Sequence, residues 1–236
     1  DLGFQDDALQ LANSHAQLVR QSGASVLLSA CAEAYAAFRN HYPRMGVALA
    51  GVRVVHSTDF LDELLHSGKL SLSVSNALTV TYHDPCRLGR LSEPFKPWKG
   101  EWITVMNTML ASDSPRPVRF GNDGNYEAPR RLLGRVQGLE LVEMERNRQF
   151  AYCCGAGAAA PQAYPKMADM AAINRLREAE ATGASCVVTA CAGCQRHLAD
   201  AARAHGMAIE VRSVLDLLAG TNEPEGRNAN LALSPN

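Results

Sequence analysis

Apolar positions recur along this chain with two periods, and the switches between them predict alternating helices and strands. Leu9, Ala12, Ala16 and Val19 return at helical spacing, which predicts an amphipathic helix over residues 6–21 ended by Gly23. Ser25–Ser29 reads as a short buried strand, and Cys31 at its end opens a second helix running through Phe38. Val52–Val55 is the next strand, and Ser57 or Thr58 is placed to cap a helix Asp59–His66 that stops at Gly68. Leu78–Tyr82 is a third strand, and it runs straight into His83-Asp84-Pro85-Cys86. Further on, Tyr126–Val136 reads as a helix that tolerates Pro129 in its first turn, followed by the strand Leu139–Val142. Ala163–Glu180 is a long helix with Met167, Met170, Ile173 and Leu176 along one face. The strand Cys186–Ala190, the helix Cys191–His205, the strand Ala208–Val211 and the helix Val214–Leu218 complete the pattern. Strands alternating with helices imply an α/β fold with mainly parallel sheets. The polar tail from Thr221 to Asn236 reads as loose.

Two features interrupt or duplicate this pattern. Between Leu91 and Asn125, Pro94, Pro97, Pro115 and Pro117 exclude a long regular element, yet Phe95, Trp98, Trp102, Ile103 and Phe120 are too apolar for a disordered linker. The stretch reads as an inserted, packed excursion, serving as structural padding or as a lid or docking surface. The duplication is a repeat. Gly23-Ala24-Ser25 followed by Ser29-Ala30-Cys31-Ala32 mirrors Gly183-Ala184-Ser185 followed by Thr189-Ala190-Cys191-Ala192, and both copies continue into helix, strand and short helix. Where the second copy has Cys194 the first has Ala34, so the first cannot supply a two-cysteine chelate.

Composition narrows the function classes. The 236 residues allow one large or two modest domains, and an apolar share of 47% is sufficient for a core. A net charge of −1 leaves no electrostatic footprint for nucleic acid. No apolar run approaches the ~20 residues needed to span a bilayer. No leader-peptide pattern opens the sequence, and a start at Asp1 rather than Met is what a fragment would show. Seven cysteines, an odd number concentrated in local motifs, fit a reduced cytoplasmic setting better than a disulfide framework.

Five of those cysteines carry the candidate chemistry: Cys86, Cys153, Cys154, Cys191 and Cys194. Neighbouring residues on a strand face opposite ways, so Cys153 and Cys154 can share a site only if the backbone bends there, and Gly155-Ala156-Gly157 permits such a bend. Cys191 at a strand end and Cys194 in the next helical turn lie near a helix N-terminus, which favours thiolate over thiol. Five converging thiolates would be an intolerable buried charge without cations. One zinc ion takes about four of them. An iron–sulfur cluster can use all five, although ordinary clusters take four. The count points to a polynuclear site without excluding zinc. A thioredoxin-like dithiol leaves Cys153-Cys154 unexplained, and a phosphate cradle on Gly155-Ala156-Gly157 has little else behind it. Cys186 reads as a core residue, Cys31 as a buried thiol, and His83 as a strand-end hydrogen-bonding group. His15, His41, His56, His66, His197 and His205 show no ligand spacing.

At Thr81-Tyr82-His83-Asp84-Pro85-Cys86-Arg87-Leu88-Gly89-Arg90, Tyr126-Glu127-Ala128-Pro129-Arg130, Cys153-Cys154-Gly155 and Thr189-Ala190-Cys191-x-x-Cys194, the chain resembles the cysteine-rich CCG-domain family, typified by the catalytic component of heterodisulfide reductase. The resemblance covers residues ~5–220 apart from the insert. It implies two pseudo-repeated α/β units: a partial, degenerate first unit over residues 1–75, and a complete second unit over 76–220 with its insert at 91–125, followed by the tail 221–236. It further implies a 4Fe-4S cluster, noncubane in the heterodisulfide reductases, held here by Cys86, Cys153, Cys154, Cys191 and Cys194. Such a chain would be an iron–sulfur subunit exchanging electrons with a disulfide, quinone or flavin. Its partners would be a ferredoxin-like protein, a flavoprotein or a quinone-reactive membrane protein, with cytoplasmic placement or peripheral attachment through those partners. The alternative is a zinc-stabilised assembly module on the same scaffold. Three departures stand out: Ala34 in place of a cysteine, Ala192 where the family pattern C-P-x-C has proline, and the long insert. The chain also lacks the C-x-x-C-x-x-C run of a ferredoxin module.

Overall fold

A computed structural model describes residues 3–220. The tail expected to be loose lies outside the described residues. The chain opens with α1 (Gln5–Ser22) and β1 (Val26–Ser29). A continuous helical stretch follows, made of α2 (Ala32–Ala36), a π turn (Ala37–His41) and α3 (Tyr42–Arg44). Next come β2 (Arg53–His56), α4 (Ser57–His66) and β3 (Ser75–His83). The insert contributes β4 (Trp102–Val105) and β5 (Met109–Ser112), and α5 (Glu127–Leu133) and β6 (Gln137–Leu141) follow. A 3-10 turn (Arg148–Phe150), α6 (Ala160–Ala163) and α7 (Pro165–Glu180) lead to β7 (Cys186–Thr189), α8 (Ala192–Ala204), β8 (Glu210–Ser213) and α9 (Val214–Ala219).

The expected α/β class is what the structure shows. Four parallel strands form the main sheet in the order β6-β3-β7-β8, and β1 and β2 pair in parallel as a separate two-stranded sheet. β7 is buried along its whole length and carries neighbours on both edges, so its near-continuous apolar run is that of a central parallel strand. Register decides where the site falls. His83 at the end of β3 sits opposite Thr189 at the end of β7, and Leu141 at the end of β6 sits opposite Val80. The segments leaving these three neighbouring strands therefore emerge at one carboxyl end of the sheet, where parallel α/β folds place their sites. They are the segments that lead to Cys86, to Cys153-Cys154 and to Cys191.

Three expectations need correction. The cap of α4 is not Ser57 or Thr58 but His56, whose Nδ1 accepts the Thr58 N–H at 3.3 Å; the helix starts one residue earlier than a hydroxyl cap would require. The buried stripe of α7 is Ala168, Ala172, Arg175, Leu176 and Ala179, while Met167 and Met170 face solvent, because small residues allow the close approach to α8 that methionines would block. The insert is packed only at its two ends. Buried Glu93 accepts the N–H of Gly121 at 2.9 Å, and Asn40 joins Leu91 to Arg119, whereas Trp102, Ile103 and Phe120 are exposed. Between those ends β4 and β5 form a free-standing antiparallel hairpin.

Candidate metal centre

The turn after β3 is fixed by a buried charge network. Arg130 on α5 grips the Asp84 carboxylate with two hydrogen bonds of 2.7 and 2.9 Å, and grips Glu143 with two more of 2.6 and 2.9 Å. Asp84 also accepts the Arg148 N–H at 2.8 Å, which ties the Cys86 turn to the segment that leads into Cys153. The Arg90 guanidinium donates to the carbonyls of Gln149 and Ala151 and draws that segment in from the other side. Gly155 then turns the backbone at φ +91, with Ala168 so close that a Cβ would stand 2.3 Å from its carbonyl oxygen. Only glycine fits there. Gly157, by contrast, has open space around it. The anticipated bend is present, and Gly155 makes it.

These restraints bring the five sulfurs into one contiguous group. Cys86 is within hydrogen-bonding reach of Cys153, Cys153 of Cys154, Cys154 of Cys194, and Cys194 of Cys191. The Cys154 and Cys194 Sγ atoms are 3.0 Å apart. Cys154, Cys191 and Cys194 are buried, Cys86 is half-buried, and Cys153 is exposed at the rim. Cys186 lies apart from them, fully buried in β7 with its thiol toward the Val187 carbonyl, as a core residue. Cys31 caps α2 but is exposed; the expectation of a buried thiol fails because β1, among the described residues, pairs with no strand but β2, so no further strand end stands beside Cys31.

The sulfurs cannot all ionise together. Hydrogen bonding with Cys154 and Cys86, with the Gly155 N–H at 3.3 Å, lowers Cys153 and favours its thiolate form. Cys194 donates to Cys191, and against the effect of burial it brings that thiol down to about 7, helped by the N–H groups of Gly193 and Cys194 at the start of α8. The donors shift in the opposite direction: Cys86 and Cys154 are raised by their bonds to Cys153, and Cys194 by its bonds to Cys154 and Cys191. A helix N-terminus is expected to favour both thiolates of the Cys191–Cys194 pair; here it does so for Cys191 alone. Proximity thus lowers Cys153 and Cys191 and raises Cys86, Cys154 and Cys194, and a bound cation would favour the thiolate form of all five.

Two groups that sequence reasoning did not assign to the site complete it. His83 is fully buried, and one of its ring nitrogens lies with the Cys154 and Cys194 sulfurs in a set of atoms within 4.8 Å of one another. Its Nδ1 accepts from Arg175 Nε at 3.0 Å, so its proton resides on Nε2, which has no partner. Burial, reinforced by the Arg175 charge, lowers His83 to about 3 and keeps it neutral. Arg175 is itself fully buried on α7 and anchored by Glu178 and the Arg146 carbonyl, each at 2.8 Å. The Tyr82 hydroxyl is also buried, unpartnered and close enough to feel Cys191 and Cys194. Unsatisfied buried donors beside a nest of sulfurs fit an acceptor-rich group such as a sulfide-bearing cluster. A larger cleft of about 660 Å³ is lined by Arg39, Asp59, Glu63, Arg131 and Arg148 but contains no cysteine.

A parallel sheet whose strand ends gather five cysteines defines a cysteine-rich α/β domain. More particularly, residues 120–199 match the model of the CCG cysteine-rich domain. Over 214 residues, 91% of this chain and 45% of the relative, it is 32% identical to a subunit of the dihydromethanophenazine:CoB–CoM heterodisulfide reductase of Methanosarcina acetivorans. It is 27% identical over 197 residues to a subunit of the fumarate reductase (CoM/CoB) of Methanothermobacter marburgensis, covering 83% of this chain and 32% of that one. It is 30% identical over 135 residues to the EtfAB:quinone oxidoreductase of Syntrophomonas wolfei, covering 57% of this chain and 14% of that protein. The chain spans less than half the length of these relatives, all of them named as oxidoreductases or their subunits. Among the described residues no helix is long and apolar enough to cross a membrane.

Proposed function

We propose that this chain is an iron–sulfur redox domain of a heterodisulfide-reductase-like oxidoreductase, with Cys86, Cys153, Cys154, Cys191 and Cys194 as the ligands of a 4Fe-4S cluster. One observation carries the reading: five cysteines on segments that leave three adjacent parallel strands meet at one end of the sheet, with the Cys154 and Cys194 sulfurs 3.0 Å apart. When bound, the cluster supplies one-electron transfer. The chain's own residues do the rest. Asp84, Arg130 and Arg90 fix the Cys86 and Cys153 segments, Arg175 sets the His83 tautomer, and burial shields Cys154, Cys191 and Cys194 from water, leaving Cys153 exposed and Cys86 half-buried. Electrons would be exchanged with a disulfide, quinone or flavin on that exposed side, through a ferredoxin-like, flavoprotein or quinone-reactive partner. The names of the relatives support this choice of partner class.

A zinc-stabilised module is the second reading, favoured by the tight trio of His83, Cys154 and Cys194, although His83 would first have to give up its hydrogen bond from Arg175. One zinc ion would still leave sulfurs unused. Anaerobic purification with metal and acid-labile sulfide analysis separates the two. Iron with sulfide is expected, whereas about one zinc and no iron per chain would replace the cluster by the zinc module. Cys154→Ser should lose most of the iron and Cys186→Ser should keep it; equal losses would undo the ligand assignment.

A further inference from the structure

The β4–β5 hairpin has no role in the centre just described, and its surface is unusual for a protein in water. From Trp102 to Ser112 there is no charged residue. β4 is exposed along its whole length, so Ile103 and Val105 on one face and Trp102 on the other all meet solvent. Met106, at the turn, is 84% exposed, and Met109 and Leu110 on the return strand are 61% and 67% exposed. A strand packed on its own core alternates buried and exposed positions, and β4 shows no such alternation. An isolated two-stranded ribbon is marginal in water, so this one needs an apolar medium that it does not find among the described residues.

The base of the hairpin differs from its tip. Trp98 and Trp102 meet edge to face at 5.4 Å, and the Arg116 guanidinium lies over both rings at 5.7 and 5.2 Å. Trp98 Nε1 donates to Ser114 at 3.2 Å. Lys96 and Lys99, on either side of Trp98 in the chain, are exposed, and Lys96 pairs with Asp123 at 3.0 Å. Two exposed carboxylates share this level, Glu101 and Asp113, the latter accepting the Glu101 N–H at 2.8 Å. Tryptophan rings and cations below an uncharged tip form the arrangement that settles at a membrane interface, rings at the headgroups and aliphatic side chains below them. Strands of four residues reach about 13 Å, enough for such a depth. A protein groove or a second copy of the chain would cover one face or one edge. This hairpin carries apolar side chains on both faces and Met106 at a turn completed by the uncharged Asn107 and Thr108.

We propose that the β4–β5 hairpin is a membrane-surface anchor, inserting Ile103, Val105, Met106, Met109 and Leu110 at the boundary between lipid headgroups and acyl chains. The centre would then be held at the bilayer surface by this chain itself, in addition to any partner.

The test uses the chain's own probes, because Trp98 and Trp102 are its two tryptophans. The 236-residue chain is mixed with vesicles of phosphatidylcholine alone or with roughly one-third phosphatidylglycerol, and read by co-sedimentation and tryptophan emission. The expected result is co-sedimentation with a blue-shifted emission that acyl-brominated lipids quench. The triple variant I103S/M106S/L110S should lose at least about tenfold in partitioning while retaining the wild-type far-UV circular dichroism. Wild-type protein that stays in the supernatant with unshifted emission overturns the proposal. So does a triple variant that partitions like wild type, or one whose only change is conversion of a dimer to a monomer in sedimentation velocity, which would assign the hairpin to contact between copies.

Discussion

Replacing Arg130 by methionine tests the idea that a buried ion pair, rather than the cysteines themselves, holds the Cys86 turn in place. The Arg130 and Asp84 side chains are 7% and 2% exposed, and the guanidinium also serves Glu143, the Tyr126 carbonyl and the face of Tyr82 at 5.0 Å. Methionine keeps the bulk but strands the Asp84 carboxylate, which retains only the Arg148 N–H. Removing one partner of a buried pair costs about 3–5 kcal/mol. The surviving N–H places the value at the lower end, and partly exposed Glu143 adds no more than about 1 kcal/mol. R130M should therefore destabilise the metal-free protein by about 3 kcal/mol, measured by urea unfolding under reductant and chelator with an unchanged m-value. The double variant D84N/R130M should recover about 2 kcal/mol of that, because a neutral amide needs no counter-charge. A cost below about 1 kcal/mol, or a double variant as unstable as the sum of the two single ones, would refute the account. Iron retention offers a second readout: it should fall in R130M and partly return in the double variant.

Two further outcomes follow from individual residues. G155A should lose at least about 2 kcal/mol and most of the bound iron, since alanine at φ +91 is strained and its Cβ meets the Ala168 carbonyl, while G157A should match wild type in both assays; indistinguishable variants would mean that the double-cysteine loop is not sterically locked. His56 is buried and neutral, and desolvation lowers it to about 4. Its folded value lies below its unfolded one of about 6.5, so the unfolded chain binds the extra proton and stability falls as pH drops from about 6.5 to 4, by up to about 3 kcal/mol. H56N keeps a side chain able to cap α4 and removes the titration, so the difference in unfolding free energy between wild type and H56N should change over that pH window and be flat above it; a difference independent of pH would show that folding does not lower His56.

Much of this architecture was legible because strands and helices carry local signatures. The strand registers, and with them the convergence of three distant motifs, follow from strand order, which periodicity does not encode. The misread positions share a cause. On α7, hydrophobicity favours Met167 and Met170 as the buried face, but closeness to α8 and to Gly155 favours the alanines, and size outweighs polarity where backbones nearly touch. Arg175 looks like a solvent residue in any local window. Its burial is tolerable only because His83, Glu178 and the Arg146 carbonyl, far apart in the chain, supply acceptors. The exposed hairpin misleads in the opposite sense, since an apolar run implies packing to any reading that lacks its neighbours.

The repeated unit shows what the local motif can and cannot determine. α2 and α8 both start from a cysteine cap in extended conformation, and the caps of α4 and α9, His56 and Ser213, have the same backbone angles, φ −82 and ψ 151. The same turn thus occurs twice with nearly the same local geometry, yet Cys191 is 7% exposed in a sulfur nest while Cys31 faces solvent. Ala34 in place of a second cysteine is only part of the difference. β7 has β3 on the edge away from β8, and the β3 terminus brings His83, Asp84 and Cys86 to within reach, whereas β1 has no such neighbour among the described residues. The strand-to-helix turn offers a thiolate at a helix start; an adjacent parallel strand turns that offer into a site. The chelating capacity therefore belongs to the sheet order, and a cysteine at a repeated turn is evidence for a metal centre only where a second strand end stands beside it.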